Sequence, residues 1–209
     1  MYRAVLFDLD GVLTLDKNGS TSTVNSLARH TGLDVEALRT AYLRHNGEML
    51  RGTLTHADVW AEMCREVGRE IPFALLHTAF IETPMDVQML ALARELKAEG
   101  RLVALVTDNK TDRIDAILEQ HSLRDLFDAV TISAQVGSGK RERASFDDVL
   151  AKLKAAADAE LRPEDCLFID NTPHNLTVPE ELGFATHLFD DAVRDVDSLR
   201  ARLKVHADP

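Results

Sequence analysis

The chain has 209 residues, of which 45% are hydrophobic and 28% are charged, with 10 glycines and 6 prolines. These values are near the average of folded globular proteins, so they exclude a disordered, collagen-like or low-complexity chain and predict a folded soluble protein. The formal net charge is −11, from 24 Lys plus Arg against 35 Asp plus Glu. An acidic surface repels a phosphate backbone, so nucleic acid is not an expected partner.

The cysteines and the N-terminus indicate where the protein resides. Cys64 and Cys166 have neither the dense spacing of a disulfide scaffold nor the paired spacing of a zinc site. The N-terminal apolar run reaches Asp8 too soon for a signal-peptide core or a membrane span. We therefore expect a cytoplasmic protein with no membrane partner, and the sequence leaves open whether it is a monomer or a homodimer.

Short apolar runs along the chain predict buried strands of a parallel sheet. Stretches with helical spacing lie between the later runs, so strand and helix alternate from about residue 84 onward. This alternation predicts right-handed crossovers and a doubly wound, Rossmann-like α/β fold of about five strands, with ligands at the carboxyl ends of the strands. The predicted strands are Ala4–Phe7, Leu102–Val106, Ala129–Ile132, Cys166–Ile169 and Ala185–Phe189.

About 90 residues separate the first two predicted strands, where one crossover helix needs only about a dozen. Capping residues and apolar spacing predict four helices in this interval. One begins at Ser20 or Thr21, and the others follow Asp34, Thr55 and Pro72. We interpret the interval as an inserted four-helix domain of residues 16–83, and assign residues 1–15 and 84–209 to the α/β core.

The first predicted strand runs into two carboxylates. Strand alternation places Asp8 and Asp10 on the same side of the chain, so both converge on the carboxyl edge of the sheet. Two carboxylates repel each other unless a cation neutralises them, and Mg2+ accepts carboxylates together with a carbonyl, waters and a phosphate oxygen. Asp and Gly are also common turn residues, so an ordinary strand end followed by a turn is the alternative.

Polar residues also follow the second and fourth predicted strands. Thr107, Asp108 and Asn109 offer a hydroxyl, an amide and backbone donors that can hold anionic oxygens, although such a group can also cap a helix. Asp170 and Asn171 bring a third acidic side chain and an amide to the same edge, where a polar turn is the competing interpretation. Jointly, the strand ends favour a metal and phosphate site over coincidence.

Lys140 follows the third predicted strand in a glycine-containing loop. A nucleotide-binding phosphate loop is excluded, because Ala134 stands where a glycine is needed and Arg141 where Ser or Thr is needed. The lysine remains a candidate point charge for a phosphate or for crowded carboxylates, with an ordinary solvated lysine as the alternative.

In chain order, these segments resemble the haloacid dehalogenase-like superfamily, in its phosphohydrolase branch with a small helical cap inserted after the first strand. Residues 8–14 are similar to the first motif of that family, and the resemblance covers nearly the whole chain. Thr107, Lys140 and the pair Asp170 and Asn171 resemble the second, third and fourth motifs. Arg51 lies in a segment similar to an arginine–glycine segment of small-capped relatives.

The resemblance implies an α/β core, a cap and Mg2+ as cofactor. It implies that Asp8 attacks phosphorus to form an aspartyl phosphate, while Asp10 protonates the leaving oxygen and then activates water. The implied catalytic residues are Asp8, Asp10, Thr107 and Lys140. The implied Mg2+ ligands are Asp8, Asp10, Asp170 and Asn171. Phosphate or substrate is expected to contact Thr107, Asp108, Asn109, Lys140 and Arg51.

The implied function is that of a Mg2+-dependent phosphatase acting on a small phosphorylated metabolite, either a sugar phosphate or a nucleotide. Dehalogenases of the family lack the second carboxylate, so Asp10 favours phosphate ester hydrolysis. Asn171 departs from the Asp that relatives often carry, which implies weaker Mg2+ binding. Substrate selection is expected from the cap, with Asp16, Asn18, His45, Asn46, Arg51 and Thr53 as candidates.

Three alternatives to the phosphatase have different consequences. A phosphomutase of the β-phosphoglucomutase type uses the same aspartyl phosphate but returns the phosphoryl group to a sugar. A catalytically impaired member, motivated by Asn171, acts as a binding protein. A response-regulator receiver also gathers acidic residues, Thr and Lys around a phosphorylated Asp, but it has no helical insertion after its first strand, so the predicted architecture argues against it.

Overall fold

The structure is a computed structural model that describes residues 2–157 and 160–205. Its strands are β1 (Ala4–Phe7), β2 (Leu102–Thr107), β3 (Ala129–Ile132), β4 (Cys166–Asp170) and β5 (Ala185–Leu188). They form a parallel sheet in the order β3-β2-β1-β4-β5. All five predicted strands are present, so the predicted α/β class is confirmed; β2 and β4 are one residue longer than predicted and β5 is one residue shorter.

The topology changes direction beside β1. The chain builds outward on one side through β2 and β3, then returns to the other side of β1 for β4 and β5. In register, Phe7 lies opposite Leu105 on β2 and Ile169 on β4, so the segments after these three strands meet at one edge of the sheet. Parallel α/β sheets bind ligands at such a switch point, so this edge is the expected position of a ligand site.

Five helices lie between β1 and β2 ahead of the crossover helix. We call them the cap: α1 (Gly19–Thr31), α2 (Val35–Leu43), α3 (Asn46–Leu50), α4 (His56–Glu66) and α5 (Ala74–Ile81). The four predicted helices correspond to α1, α2, α4 and α5, and the five-residue α3 is additional. Thr55 and Asp58 form the expected capping box of α4, and Asp34 caps α2.

The helices that cover the sheet are α6 (Val87–Ala98), α7 (Thr111–Gln120), α8 (Ser133–Val136), α9 (Arg143–Ala157), α10 (Thr177–Glu181) and α11 (Val196–Val205). Alternation along β1 splits the core into two layers. Val5 and Phe7 pack with residues of α6, α7 and α11, whereas Leu6 packs with residues of α9. Both faces of the sheet are buried along β1 to β4, which explains why these strands are largely apolar, whereas the edge strand β5 is partly exposed and contains Thr186 and His187.

The cap has its own apolar centre and rests on α7. Leu27, Trp60 and Phe80 belong to this centre, which also includes Ala116 of α7. The chain enters and leaves the cap through segments that lie side by side, since the Leu15 amide donates to the Pro84 carbonyl at 2.8 Å. The predicted cap boundaries at residues 16 and 83 fall here and stay a prediction. Residues 1, 158, 159 and 206–209 of the predicted core lie outside the described residues.

Across the described ranges, no helix combines the length and the apolar character that crossing a bilayer requires.

Candidate active site

Asp8 directly follows β1 and is only 5% exposed. One of its carboxylate oxygens, Oδ1, accepts the Leu9 amide at 2.7 Å, and the other, Oδ2, lies 2.8 Å from the Lys140 ammonium. The backbone then turns through residues 9–13, where Gly11 adopts a φ of +82°. A side chain at Gly11 would also come within 2.0 Å of the Asn171 amide, so glycine permits both the turn and the close approach of the fourth motif.

Lys140 joins two buried carboxylates. Its ammonium donates to Asp170 Oδ2 at 2.6 Å as well as contacting Asp8, and these three side chains are almost completely buried. The Lys140 backbone amide donates to the Asp108 carboxylate at 2.9 Å, which fixes the loop that carries the lysine. With Asp8 ionised, two carboxylates and one ammonium carry one excess negative charge, so a further cation beside Asp8 would favour its ionised form.

Burial and neighbouring charges shift the pKa values of Asp8 and Lys140. Burial raises the pKa of Asp8 to about 8, the negative charges of Asp170 and Asp10 act in the same direction, and Lys140 acts in the opposite direction. Burial lowers the pKa of Lys140, but the attraction of Asp8 and Asp170 outweighs this and holds the pKa above its ordinary value. The ammonium therefore remains charged at neutral pH, as a permanent partner for the carboxylates.

Asp10 is held by a buried guanidinium. Arg113 of α7 donates to both Asp10 oxygens, at 2.9 and 2.8 Å, and the Asn109 amide adds a third hydrogen bond at 2.8 Å. Gly19 at the start of α1 makes room for this pair, because a Cβ there would lie 2.2 Å from the Arg113 guanidinium carbon. The Asp10 carboxylate is thus fixed by two core residues beneath the first turn of the cap.

The second motif supplies polar groups between Asp8 and the cap. Thr107 is 2% exposed, and its hydroxyl lies 3.4 Å from the Asn109 side-chain nitrogen. The Asn109 backbone amide donates to the Ser133 hydroxyl at 3.0 Å, which anchors the segment to the end of β3. The Asp108 carboxylate accepts the Lys140 amide, so it connects the second and third motifs.

A cavity of about 200 Å³ lies between the sheet edge and the cap. Its core wall is formed by Asp8, Asp10, Thr107, Asp108, Asn109, Lys110, Arg113, Lys140, Asn171 and Thr172, and the remaining wall by Lys17, Asn18, Gly19, Ser20, Tyr42, Asn46 and Leu50. A second cavity of about 460 Å³ shares Leu50, Asp108 and Thr172 with it, so the two are adjacent. The structure thus brings seven of the nine predicted site residues to one cavity.

The other two predicted residues, Asp170 and Arg51, lie elsewhere. Asp170 is fully buried beneath Lys140, where its carboxylate also accepts the Thr172 amide at 2.7 Å and the Asn175 side chain at 3.1 Å. Arg51 lines the adjacent 460 Å³ cavity, and its exposed guanidinium lies 3.2 Å from Glu142. Asp170 therefore holds Lys140 in place without lining the inner cavity, and Arg51 also lies outside that cavity.

The cap candidates divide in the same way. Asn18 and Asn46 line the inner cavity. Asp16 instead accepts the Ser22 hydroxyl at 2.6 Å, His45 lies 3.3 Å from Glu62, and the Thr53 hydroxyl donates to the Glu48 carbonyl at 3.1 Å; none of these three lines that cavity.

Lys110, Arg113, Tyr42 and Lys17 line the cavity but were not predicted. Arg113 had an available signal, because a cation in the first turn of a helix opposes the helix dipole and calls for another reason to be there. Tyr42 had none, since it has the spacing of an ordinary cap core residue. Its hydroxyl lies 3.0 Å from His56, whose other ring nitrogen lies 2.8 Å from Asp112 of α7.

The oxygen donors at the sheet edge fit a Mg2+ site with few protein ligands better than a metal site whose ligands all come from the protein. Within residues 2–157 and 160–205, no three Asp, Glu, His or Cys side chains are grouped as a metal cage. Mg2+ commonly takes one or two carboxylates, with water and substrate phosphate completing its ligands. The Asp8 carboxylate and the Asn171 amide both face the cavity, although the Asn171 nitrogen also donates to Asp191 at 2.9 Å. Asp8 and Asn171 therefore fit the ion, and the full predicted set of Asp8, Asp10, Asp170 and Asn171 stays a prediction.

A sequence model of the haloacid dehalogenase-like hydrolases matches residues 2–183. The chain belongs to this family. The resemblance inferred from the four motifs is thereby confirmed, and the protein is a haloacid dehalogenase-like hydrolase.

Curated relatives of this hydrolase include a phosphatase and a larger epoxide hydrolase. It is 25% identical over 195 residues to a sesquiterpene phosphatase of Aspergillus oryzae, with 90% of this chain and 91% of the relative covered. It is 29% identical to bifunctional epoxide hydrolase 2 of Sus scrofa, where the match covers 97% of this chain but only 38% of the relative.

Solved structures share the fold over almost the whole chain. A HAD-like hydrolase of Porphyromonas gingivalis superposes with a TM-score of 0.68 at 23% identity, covering 97% of this chain and 98% of the other. A HAD family enzyme of Bacteroides thetaiotaomicron, solved with magnesium and inorganic phosphate, gives a TM-score of 0.66 at 18% identity, with coverages of 91% and 96%. At these identities the likeness establishes the fold alone.

Proposed function

We propose that this haloacid dehalogenase-like hydrolase is a Mg2+-dependent phosphatase that hydrolyses a small-molecule phosphomonoester through an aspartyl phosphate on Asp8. The observation that carries the proposal is the buried cluster in which Lys140 contacts both Asp8 and Asp170 beside a cavity that also exposes Asp10. The names of relatives add support, since one is a sesquiterpene phosphatase and another was solved with magnesium and inorganic phosphate.

In the first half of the proposed reaction, an Asp8 oxygen attacks phosphorus and the ester bond to the leaving oxygen breaks. Asp10 enters this half of the reaction in its protonated form and gives that proton to the leaving oxygen. In the second half, Asp10 removes a proton from water, the water oxygen attacks phosphorus, and the bond between phosphorus and Asp8 breaks to release inorganic phosphate. Both halves balance, and both starting carboxyl groups are restored.

The surrounding residues bind and orient the reacting groups. The Thr107 hydroxyl donates to a phosphoryl oxygen, and Lys140 offsets the negative charge of the transition state while fixing Asp8. Arg113 and Asn109 hold Asp10 in place. Asp8, Asp10 and Asn171, with Asp170 nearby, would hold Mg2+, which would supply the further positive charge that a phosphoryl group beside carboxylates requires.

The cavity wall favours a polar leaving group, such as a sugar or a nucleoside. Asn18, Ser20 and Asn46 line the cap side and offer amide and hydroxyl groups to a polar substrate, whereas an apolar terpene alcohol has little to hydrogen-bond with them. We therefore propose a sugar phosphate or nucleotide rather than the substrate class named for the Aspergillus relative.

The test is release of inorganic phosphate from p-nitrophenyl phosphate, sugar phosphates and nucleotides, each with Mg2+ and with EDTA. Wild type is compared with Asp8→Asn and with the matched control Asp115→Asn, which changes an exposed carboxylate of α7. We expect Mg2+-dependent release that Asp8→Asn abolishes and Asp115→Asn retains. The proposal would be overturned if wild type released no phosphate from any substrate of the panel, or if Asp8→Asn released as much phosphate as wild type.

A further inference from the structure

Lys110 is a buried lysine in the wall of the candidate active site. It lies between β2 and α7, is 8% exposed, and lines the same cavity as Asp8. Its ammonium donates to the Asn46 side-chain oxygen of α3 at 2.5 Å and lies 5.9 Å from the centre of the Tyr42 ring. Both of these contacts belong to the cap, so the ammonium lies where the core meets the cap.

Lys110 differs from the other cations of this cavity in its partners. Lys140 is paired with two carboxylates, Arg113 binds Asp10 through both terminal nitrogens, and the exposed Lys17 lies 3.8 Å from Asp191. Among the described residues, no carboxylate lies within 4.0 Å of the Lys110 ammonium. An amide oxygen and an aromatic ring are its neighbours, and neither carries a compensating charge.

A buried cation with only neutral partners destabilises the folded protein. Burial lowers the pKa of Lys110 to about 8 and the nearby Arg113 acts in the same direction, while Asp10 and Asp112 act in the opposite direction. The group therefore remains largely charged at neutral pH, at a cost that an anion bound in the cavity would remove. Binding of an anionic ligand beside Lys110 is therefore favoured.

The reacting phosphoryl group does not account for that ligand. In the proposed reaction it lies against Asp8, where Thr107 and Lys140 hold it. Lys110 instead contacts Asn46 and Tyr42 of the cap, on the side of the cavity that the leaving group would occupy in the proposed reaction. An anion beside Lys110 is therefore a second anionic group of the same substrate.

We propose that Lys110, with Asn46, forms a subsite for a second anionic group, a carboxylate or a second phosphate, on the leaving-group side of the substrate. The proposal rests on the phosphatase function proposed above and narrows its substrate class. The ammonium supplies the charge and the Asn46 side-chain amide supplies a further donor from the cap. The inner cavity, about 200 Å³, is below the range of roughly 300–1,000 Å³ typical of drug-sized ligands, so the substrate portion it takes is compact.

The test uses substrate pairs that differ in the second anion. Glycerol 3-phosphate is compared with 3-phosphoglycerate for a carboxylate, and fructose 6-phosphate with fructose 1,6-bisphosphate for a phosphate. For each pair, the preference is the ratio of kcat/KM values, with p-nitrophenyl phosphate as a common reference. The variants are Lys110→Met and the control Lys154→Met, a lysine of α9 that does not line the cavity.

We expect wild type and Lys154→Met to prefer the second-anion member of one pair, and Lys110→Met to lose about tenfold or more of that preference, mainly through KM. That factor corresponds to the lower end of a hydrogen bond to a charged group, about 1.5 kcal/mol. The pair that shows the effect identifies the anion. Methionine removes a charge with no carboxylate partner, so Lys110→Met is expected to fold, which its thermal transition checks.

A binding measurement separates this inference from the phosphatase proposal. In the Asp8→Asn background, calorimetry compares the affinity of the same pairs with and without Lys110→Met, and no turnover is needed. Mg2+-dependent hydrolysis of p-nitrophenyl phosphate without a second-anion preference, or a preference that survives Lys110→Met, overturns the subsite and leaves the phosphatase standing. Absence of hydrolysis from wild type on every substrate overturns the phosphatase itself.

Discussion

The buried pair of Arg113 and Asp10 offers the most direct test of how the site is held. Arg113 is 1% exposed, and its two hydrogen bonds to Asp10 span 2.8 and 2.9 Å. Replacing it with methionine, Arg113→Met, removes the cation but keeps an apolar side chain. The Asp10 carboxylate then retains only the Asn109 amide and a partly exposed edge to compensate its charge.

The expected loss in unfolding free energy follows from these contacts. Removing one partner of a buried ion pair costs about 3–5 kcal/mol, and we expect about 3 kcal/mol here because Asp10 keeps one hydrogen bond and some contact with water. For a chain of this length, that loss lowers Tm by roughly 6–12 °C. The surface pair of Arg124 and Asp115, with side chains 56% and 48% exposed, is the matched control, and Arg124→Met is expected to cost at most about 1 kcal/mol.

The assay is urea unfolding of Arg113→Met, Asp10→Asn and the double variant, which together form a double-mutant cycle. We expect a coupling energy of about 2 kcal/mol or more, because either single variant leaves a buried group without its partner. A coupling no larger than that of the Arg124 and Asp115 cycle would refute the inference that the pair is structurally important.

Three further predictions concern packing, metal binding and pH. Gly19→Ala places a methyl group 2.2 Å from the Arg113 guanidinium carbon and should lower the unfolding free energy by about 1–3 kcal/mol. Gly47→Ala, in open space within α3, should raise the unfolding free energy by about 0.5–1 kcal/mol. Urea midpoints that shift in the same direction for both variants would contradict this prediction. Asn171→Asp places a carboxylate beside that of Asp191, so we expect a lower Tm without Mg2+. We also expect tighter Mg2+ binding by calorimetry, because a carboxylate is a stronger ligand than an amide. An unchanged Mg2+ affinity would count against Asn171 as a ligand. Because Lys110 loses its charge as the pH rises through about 8, the second-anion preference in kcat/KM should fall between about pH 7 and pH 9, and a flat ratio would show that the charge does not matter. The titratable or charged groups that face Lys110 are Tyr42 of α2, Asp10 after β1, and Asp112 and Arg113 of α7.

Much of the fold was predictable because buried strands and capped helices have recognisable local sequence patterns. Strands β1 to β4 are buried, largely apolar runs and β5 is a partly exposed edge strand, and all five were predicted to within one residue at each end. Capping residues such as Asp34 and Thr55 marked the cap helices. Helix α3 escaped prediction because five residues are too few to display a helical period, and His45 before it makes no side-chain cap.

The sequence by itself also determined which motif residues gather at one edge. Residues that directly follow neighbouring parallel strands must meet there, whatever the details of packing, and this is why Asp8, Thr107 and Asn171 line one cavity. The tertiary structure alone decided which side chains meet across the chain. Arg113 reaches an aspartate 103 positions earlier, and Lys110 reaches Asn46 of the cap, 64 positions earlier. Such contacts depend on how the cap rests on α7, and no local periodicity encodes that packing.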